Sequence, residues 1–344
     1  MTVLLNTLYI TTPDAYLRLE GETVCVMVGD DKRLQIPLHH LGALVLFDHV
    51  MLSPALLARC AQDGRSIVWL SRTGRFQARL EGPVNGNILL RQAQHRAADC
   101  PATALTLARA SVAGKLNNSR QVLLRGARES SDASEQAMLV QTARQLGQQI
   151  RKLPLAADGD TLRGHEGEAA HLYFSALPRL VKPGLRKEFP FDGRNRRPPR
   201  DRFNALLSFL YALVLTDCRS ALETVGLDPQ LGFLHTVRPG RPALALDLLE
   251  EFRAPLADRL TLTLINRGQI RAADFDDSEG GAVLLNDEGR KTVITAYQSR
   301  KQDLLRHPIL GCDTPLGLLA HIQARLLARH LRGDIPDYVP FLYR

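Results

Sequence analysis

The chain reads as an α+β protein, with a small β-rich domain at the N-terminus and a larger all-α domain after it. Three observations predict this. Apolar and polar residues alternate with a period of two through much of residues 1–85. A Gly82-Pro83-Val84-Asn85-Gly86 run then interrupts any regular element. Beyond residue 88 the apolar residues fall at helical spacing, in stretches too long for strands. The expected boundaries are a β domain over 1–85, a linker over 86–92 and a helical domain over 93–344.

In the first domain, Leu17 and Leu19 alternate with polar neighbours, and Gly21 marks a turn. Val24, Val26 and Val28 alternate next, ahead of Gly29-Asp30-Asp31-Lys32, so a hairpin is predicted. Further strands are expected over 34–38, 41–47, 66–70 and 74–80. Between them, Ser53 is a helix N-cap with Pro54 at the first helical position, and the helix runs to Gln62 before Gly64.

In the second domain, helices are predicted over 89–99, 102–113 and 119–152. Asp160 or Thr161 opens another, which carries Glu166. A basic, proline-rich loop occupies 182–202. Asp201 then caps a helix over 202–225 that is apolar nearly all round, so it belongs at the centre of its domain. Gly226 and Pro229 stop it. The last predicted helices cover 243–252 and 316–331.

A length of 344 residues accommodates two domains, and 45% apolar with 23% charged residues allows ordinary cores. The net charge of +8 favours a polyanionic partner, either nucleic acid or an anionic membrane surface. No run approaches the ~20 apolar residues that span a bilayer, and residues 1–13 lack a charged segment leading into an apolar one. The five cysteines are isolated, so reduced thiols in a cytoplasmic protein are the plain reading. No phosphate-binding loop, dinucleotide fingerprint or Gly-x-Ser-x-Gly elbow occurs, which leaves ATP hydrolysis and acyl transfer without support.

Two stretches carry chemistry. On a helix, Glu166 shares a face with Ala169, Ala170, Tyr173 and Phe174, an apolar stripe where an unpaired carboxylate is costly. It needs a cation, which is either a metal ion or a buried arginine. His235 follows an apolar approach, Gly232-Phe233-Leu234; alone it reads as a core histidine on a backbone carbonyl. Asp247 and Glu250 share a helix face, and alone they read as a solvated acidic patch beside Arg253. Together, an imidazole and carboxylates suit Mg²⁺ or Mn²⁺, with the histidine tilting toward Mn²⁺. A metal in a basic protein points to phosphodiester chemistry. Arg186, Lys187, Arg194, Arg196, Arg197, Arg200 and Arg202 form either a mobile surface loop or a clamp on DNA phosphates, with Phe189 and Phe191 as bases' stacking partners.

The block Gly164-His165-Glu166-Gly167-Glu168-Ala169-Ala170 resembles the first signature of the CRISPR-associated spacer-acquisition integrases, the Cas1 family. Pro198-Pro199-Arg200-Asp201 leading to Asn204-Ala205-Leu206-Leu207-Ser208 and Tyr211 resembles the second. Gly232 to His235 with Asp247 to Arg253 resembles the third, in the same order and spacing. The chain departs from the pattern at His165, where an aliphatic residue is more usual, and at Glu168, an added charge. The length and Tyr338-Val339-Pro340-Phe341-Leu342 are similar to the type I, subtype C branch.

This resemblance implies Glu166, His235 and Glu250 as metal ligands and Asp247 as a nearby acidic residue of the catalytic set that assists the site. It implies a metal-dependent DNA endonuclease and integrase of CRISPR adaptation, an antiviral defence. Such an enzyme joins prespacer 3′-hydroxyl ends to the CRISPR repeat by transesterification. It further implies a homodimer made by the β domain and a small Cas2 partner. A non-catalytic nucleic-acid-binding scaffold and a metal-dependent RNase stand as alternatives.

Overall fold

A computed structural model describes residues 6–80, 82, 88–196, 198–278 and 280–343. It divides into two compact units, one of residues 1–85 with 287–299 and the other of 86–286 with 300–344.

The first unit holds two four-stranded sheets. Strands β1 (Asn6–Ile10), β2 (Tyr16–Glu20), β3 (Thr23–Val28), β4 (Asp31–Pro37), β5 (Leu41–Phe47) and β6 (Met51–Leu52) precede helix α1 (Pro54–Gln62), and β7 (Ser66–Leu70) and β8 (Phe76–Arg79) follow it. One sheet has the order β4-β3-β2-β6, with the expected hairpin pairing Leu17 to Val26 and Leu19 to Val24. The other has the order β1-β5-β7-β8, parallel except at β8. Alternation places Leu17, Val24, Val26, Leu44, Leu46 and Ile67 in one core with Leu56 of α1. Ser53 caps α1 as expected, its side chain accepting from the Leu56 N–H at 3.2 Å.

The second unit opens with α2 (Ile88–Asp99), so the described part of the expected 86–92 linker is helical. Helix α3 (Pro101–Glu129) is one 29-residue element where two were expected. Tertiary contacts hold the helix through residues 114–118, which lie between the two expected segments. A Cβ on Gly114 would lie 2.9 Å from Pro340 Cβ, and the buried Asn118 amide donates to the Glu251 and Phe341 carbonyls. The expected 119–152 helix breaks instead at Asp132, which caps α4 (Ala133–Lys152) by accepting from the Glu135 N–H at 2.9 Å.

Helix α5 (Gly159–Ala176) carries Glu166 and is capped by Asp158, a few residues before the expected start. Helix α6 (Arg202–Val225) lies where it was predicted, with Asp201 as N-cap and Gly226 at φ +86° as its left-handed stop. It is long and apolar enough to cross a membrane, which the sequence reading did not expect. It serves here as a core helix: Phe203, Leu206, Leu207, Leu210 and Cys218 are fully buried, and such a side chain contributes about 1.5–3 kcal/mol over exposure.

Helix α7 (Ala243–Glu250) is followed by a π-helical stretch, Arg253–Asp258, and α8 (Arg259–Asn266). Helix α9 (Asp287–Gln302) was not expected, and most of it belongs to the first unit, although the sequence reading assigned 93–344 to the helical domain. Its Gln298 amide donates to the Thr7 carbonyl at 2.7 Å, and its Asp287 pairs with Arg72 at 3.1 Å. Helix α10 (Leu319–Leu331) closes the helical set. Two short antiparallel ladders, Phe275–Asp277 with Val283–Leu285 and Leu304–Arg306 with Asp313–Pro315, make the second unit less than wholly helical.

Candidate active site

Asp247 organises the site from α7. Its carboxylate accepts from the backbone N–H groups of Phe233, Leu234 and His235 at 2.6, 3.0 and 2.9 Å. The 232–235 turn is thereby held against the helix. Gly232 has no alternative there, because a Cβ would sit 2.7 Å from both the Ala243 carbonyl carbon and Asp247 Oδ2. The same carboxylate lies 2.7 Å from His235 Nδ1. An ionised carboxylate only accepts, so Nδ1 donates. Thus Asp247 orients His235, and Nε2 faces Glu250 Oε1 at 3.7 Å.

Glu250 is 2% exposed and surrounded by positive charge. Its Oε1 is 3.1 Å from an Arg253 guanidinium nitrogen, and its Oε2 is 2.9 Å from Lys115 Nζ. Burial is the largest single influence on this carboxyl and pushes its pKa up. Arg253, Lys115 and His235 together outweigh burial and hold it at about 2. Oε2 is buried and faces the Lys115 ammonium at 2.9 Å.

Glu166 reaches the same point from α5, where Ala169 and Tyr173 of its face are buried as expected. Its carboxylate is ion-paired with Lys115. The cation partner is therefore a lysine, where the sequence left an arginine or a metal open. Lys115 bridges Glu166 and Glu250, so α3, α5 and α7 meet at one ammonium group. Among the described residues, no three histidine, cysteine or acidic side chains are gathered closely enough to hold a metal. The donor set nevertheless fits a hard divalent ion in kind: an imidazole nitrogen 3.7 Å from one carboxylate, and two carboxylates already joined by a cation.

Lys115 and Asp258 escaped the sequence reading. Lys115 stands 51 residues before Glu166, and only its place on a buried stripe with Val112 and Ser119 could have marked it. Asp258 accepts hydrogen bonds from the Tyr173 and Tyr211 hydroxyls at 2.8 and 2.6 Å. Burial pushes its pKa up to about 6, against the pull of both hydroxyls and of Arg253 and Arg194. Arg253 lies 5.0 Å over the Tyr211 ring, which holds the guanidinium against Glu250.

The basic segment separates into two groups. Arg186 makes a two-pronged pair with Glu135 at 2.6 and 2.9 Å, and Arg194 donates to Asn204 and Ser208 at 2.7 and 2.9 Å. Arg202 donates to the Glu188 carbonyl at 2.8 Å. These three serve the fold. Lys187, Arg196 and Arg200 are exposed, while Arg197 lies outside the described residues. Phe189 is buried edge-on against Phe275, and Phe191 packs on Phe203, so neither is presented as a base platform.

The family model described as CRISPR associated protein Cas1 matches residues 8–299. A CRISPR-associated endonuclease Cas1 of Moorella thermoacetica is 54% identical over 344 residues, covering all of both chains. Another, of Chlorobaculum tepidum, is 51% identical over 340 residues and 99% of each chain. Among solved structures, a Cas1 protein from Thermotoga maritima superposes with a TM-score of 0.82 at 25% identity, over 95% of this chain and 97% of its own. On the three signatures, the two-part architecture and these likenesses, the chain belongs to the CRISPR-associated Cas1 family.

Proposed function

We propose that this protein is a DNA endonuclease and integrase of CRISPR adaptation, working at a divalent ion held by Glu166, His235 and Glu250. The convergence of Glu166, His235, Lys115 and Arg253 on the buried, ionised Glu250 carries this reading. A bound Mg²⁺ or Mn²⁺ would polarise the phosphoryl oxygen and acidify the attacking hydroxyl.

The chain's own groups prepare that chemistry. Arg253 keeps Glu250 ionised at neutral pH, and Asp247 fixes the ring of His235 so that Nε2 points inward. In strand transfer the prespacer 3′-oxygen bonds to a repeat phosphorus as the repeat strand's own P–O bond breaks. The hydroxyl proton leaves to water, and the departing oxygen takes one up. The exposed Lys187, Arg196 and Arg200 neutralise phosphates of the bound DNA. The working assembly is a homodimer formed through the β unit, with a small Cas2 partner, in the cytoplasm.

The test incubates the protein with a supercoiled repeat-bearing plasmid, a labelled DNA duplex and Mn²⁺. Wild type should join label to plasmid. Glu166→Gln and His235→Ala should lose at least 100-fold in rate, the scale of removing a catalytic ligand. Wild-type rates in both variants would exclude this site. A non-catalytic scaffold is the second reading, favoured by the Lys115 bridge, which neutralises the carboxylates without a metal. It predicts that the protein binds DNA but no divalent ion.

A further inference from the structure

The bridging lysine asks for a reason. Lys115 extends from α3 with its side chain only 12% exposed and ends between carboxylates of α5 and α7. Burying an ammonium costs several kcal/mol unless it is paired, so the position is not incidental. Two carboxylates brought together without a cation would repel, and one would take up a proton. Lys115 removes that conflict while no metal is bound. Its contact with Glu250 Oε2, at 2.9 Å, occupies the space between the two carboxylates that a divalent ion would need.

A divalent ion and an ammonium group cannot both sit between the same two oxygens, because their repulsion at such range is large in a buried site. A void of about 20 Å³, lined by Lys115, Ser119, Tyr211, Arg253 and Asp258 among others, adjoins the lysine. It gives the flexible side chain somewhere to withdraw, beside a carboxylate. The charge account also changes with the exchange. A divalent ion in place of the ammonium between Glu166 and Glu250 raises the charge there by one, which suits an arriving phosphate.

We propose that Lys115 is a resident cation that holds the metal-free site together and is displaced when the divalent ion enters. It is a positioning residue that competes with the metal, and the proposal rests on the ligand assignment above.

Mn²⁺ binding, followed by the electron paramagnetic resonance signal of free Mn²⁺, tests it without any activity readout. Four proteins are compared: wild type, Glu250→Gln, Lys115→Met and Lys115→Arg. Loss of Mn²⁺ binding in Glu250→Gln would establish the ligand assignment independently of the lysine. Lys115→Met should then bind Mn²⁺ at least fivefold more tightly than wild type, while Lys115→Arg, which keeps the cation, should bind no tighter. Without metal, Lys115→Met should melt lower than wild type, and Mn²⁺ should raise its midpoint by more. Circular dichroism checks folding; should Lys115→Met not fold, Lys115→Gln takes its place in the same measurement. Equal or weaker binding by the neutral variant, beside a Glu250→Gln that has lost the ion, overturns the displacement while leaving the metal site intact. Absence of Mn²⁺ binding in wild type and neutral variant alike overturns the site and the displacement together.

Discussion

Glu250 and Glu251 are chain neighbours at the end of α7, and both are shut away from solvent. Glu250 looks toward charges: Arg253, Lys115 and His235 hold it ionised, with a pKa of about 2. Glu251 looks toward neutral donors. It accepts from the Tyr338 hydroxyl, the Gln323 amide at 2.9 Å and the Phe341 N–H at 2.6 Å, yet burial outweighs them and pushes it up to about 7. Similar burial thus ends in opposite shifts, because the partners differ in charge and not in number. One carboxylate is kept for a cation. The other is an anchor for the C-terminal segment, whose Tyr338, Phe341 and Tyr343 are buried.

Breaking the charged side should have the largest effect. Glu250→Ala strands the buried Arg253 without its carboxylate and leaves Lys115 with Glu166 alone, at about 3–5 kcal/mol of stability, and abolishes strand transfer. Urea unfolding and the plasmid assay read the two losses. Breaking the neutral side costs less: Glu251→Ala leaves a hydroxyl, an amide and a backbone N–H without their acceptor, at about 2–4 kcal/mol. Hydrogen exchange should rise first over residues 338–343.

Acid and base sharpen the contrast further. A carboxyl with a raised folded pKa binds its proton more tightly in the native state, so the native state loses stability as pH rises from about 4.5 to about 7. The loss is on the order of 3 kcal/mol. Glu250 runs the other way: its contribution is present above 4.5 and is lost as pH falls toward about 2. Melting midpoints across pH should therefore show a decline up to about 7, of which Glu251→Gln removes the part above about 6 and leaves the part that Asp258, raised to about 6, contributes. The smallest effect belongs to Gly114→Ala. The added Cβ meets Pro340 Cβ at 2.9 Å and Glu251 Cγ at 3.3 Å, which offsets the gain of about 1 kcal/mol in helix propensity. A net stabilisation of that full size would show that the C-terminal segment yields freely.

What could be read from the chain followed the range of the interactions. Ser53 with Pro54, and Asp201 with Gly226, mark helix ends by contacts within a few residues, and both helices lie where they were expected. Glu166, His235 and Glu250 were singled out by residue type and by family spacing; the fold joins Glu166 and Glu250 through Lys115 and sets His235 Nε2 3.7 Å from Glu250. Lys115 was missed because its partners lie on two other helices. The unbroken α3 was missed because Asn118 and Gly114 are held by residues more than 130 positions away. Arg186 and Arg194 looked like free charges because Glu135 and Asn204 are invisible as partners until the chain is folded.

Helix α9 carries one more consequence, for the order in which the protein is made. Residues 287–299 belong with the N-terminal unit, yet some two hundred residues of the second unit are synthesised before them. At about 5–20 residues per second, the strands leave the ribosome 10 s or more ahead of the helix that completes their unit. During that interval the nascent β unit lacks the Gln298 donor to Thr7 and the Arg72 partner. A transcript cut short anywhere before Asp287 would leave both units unfinished, not one whole and one missing.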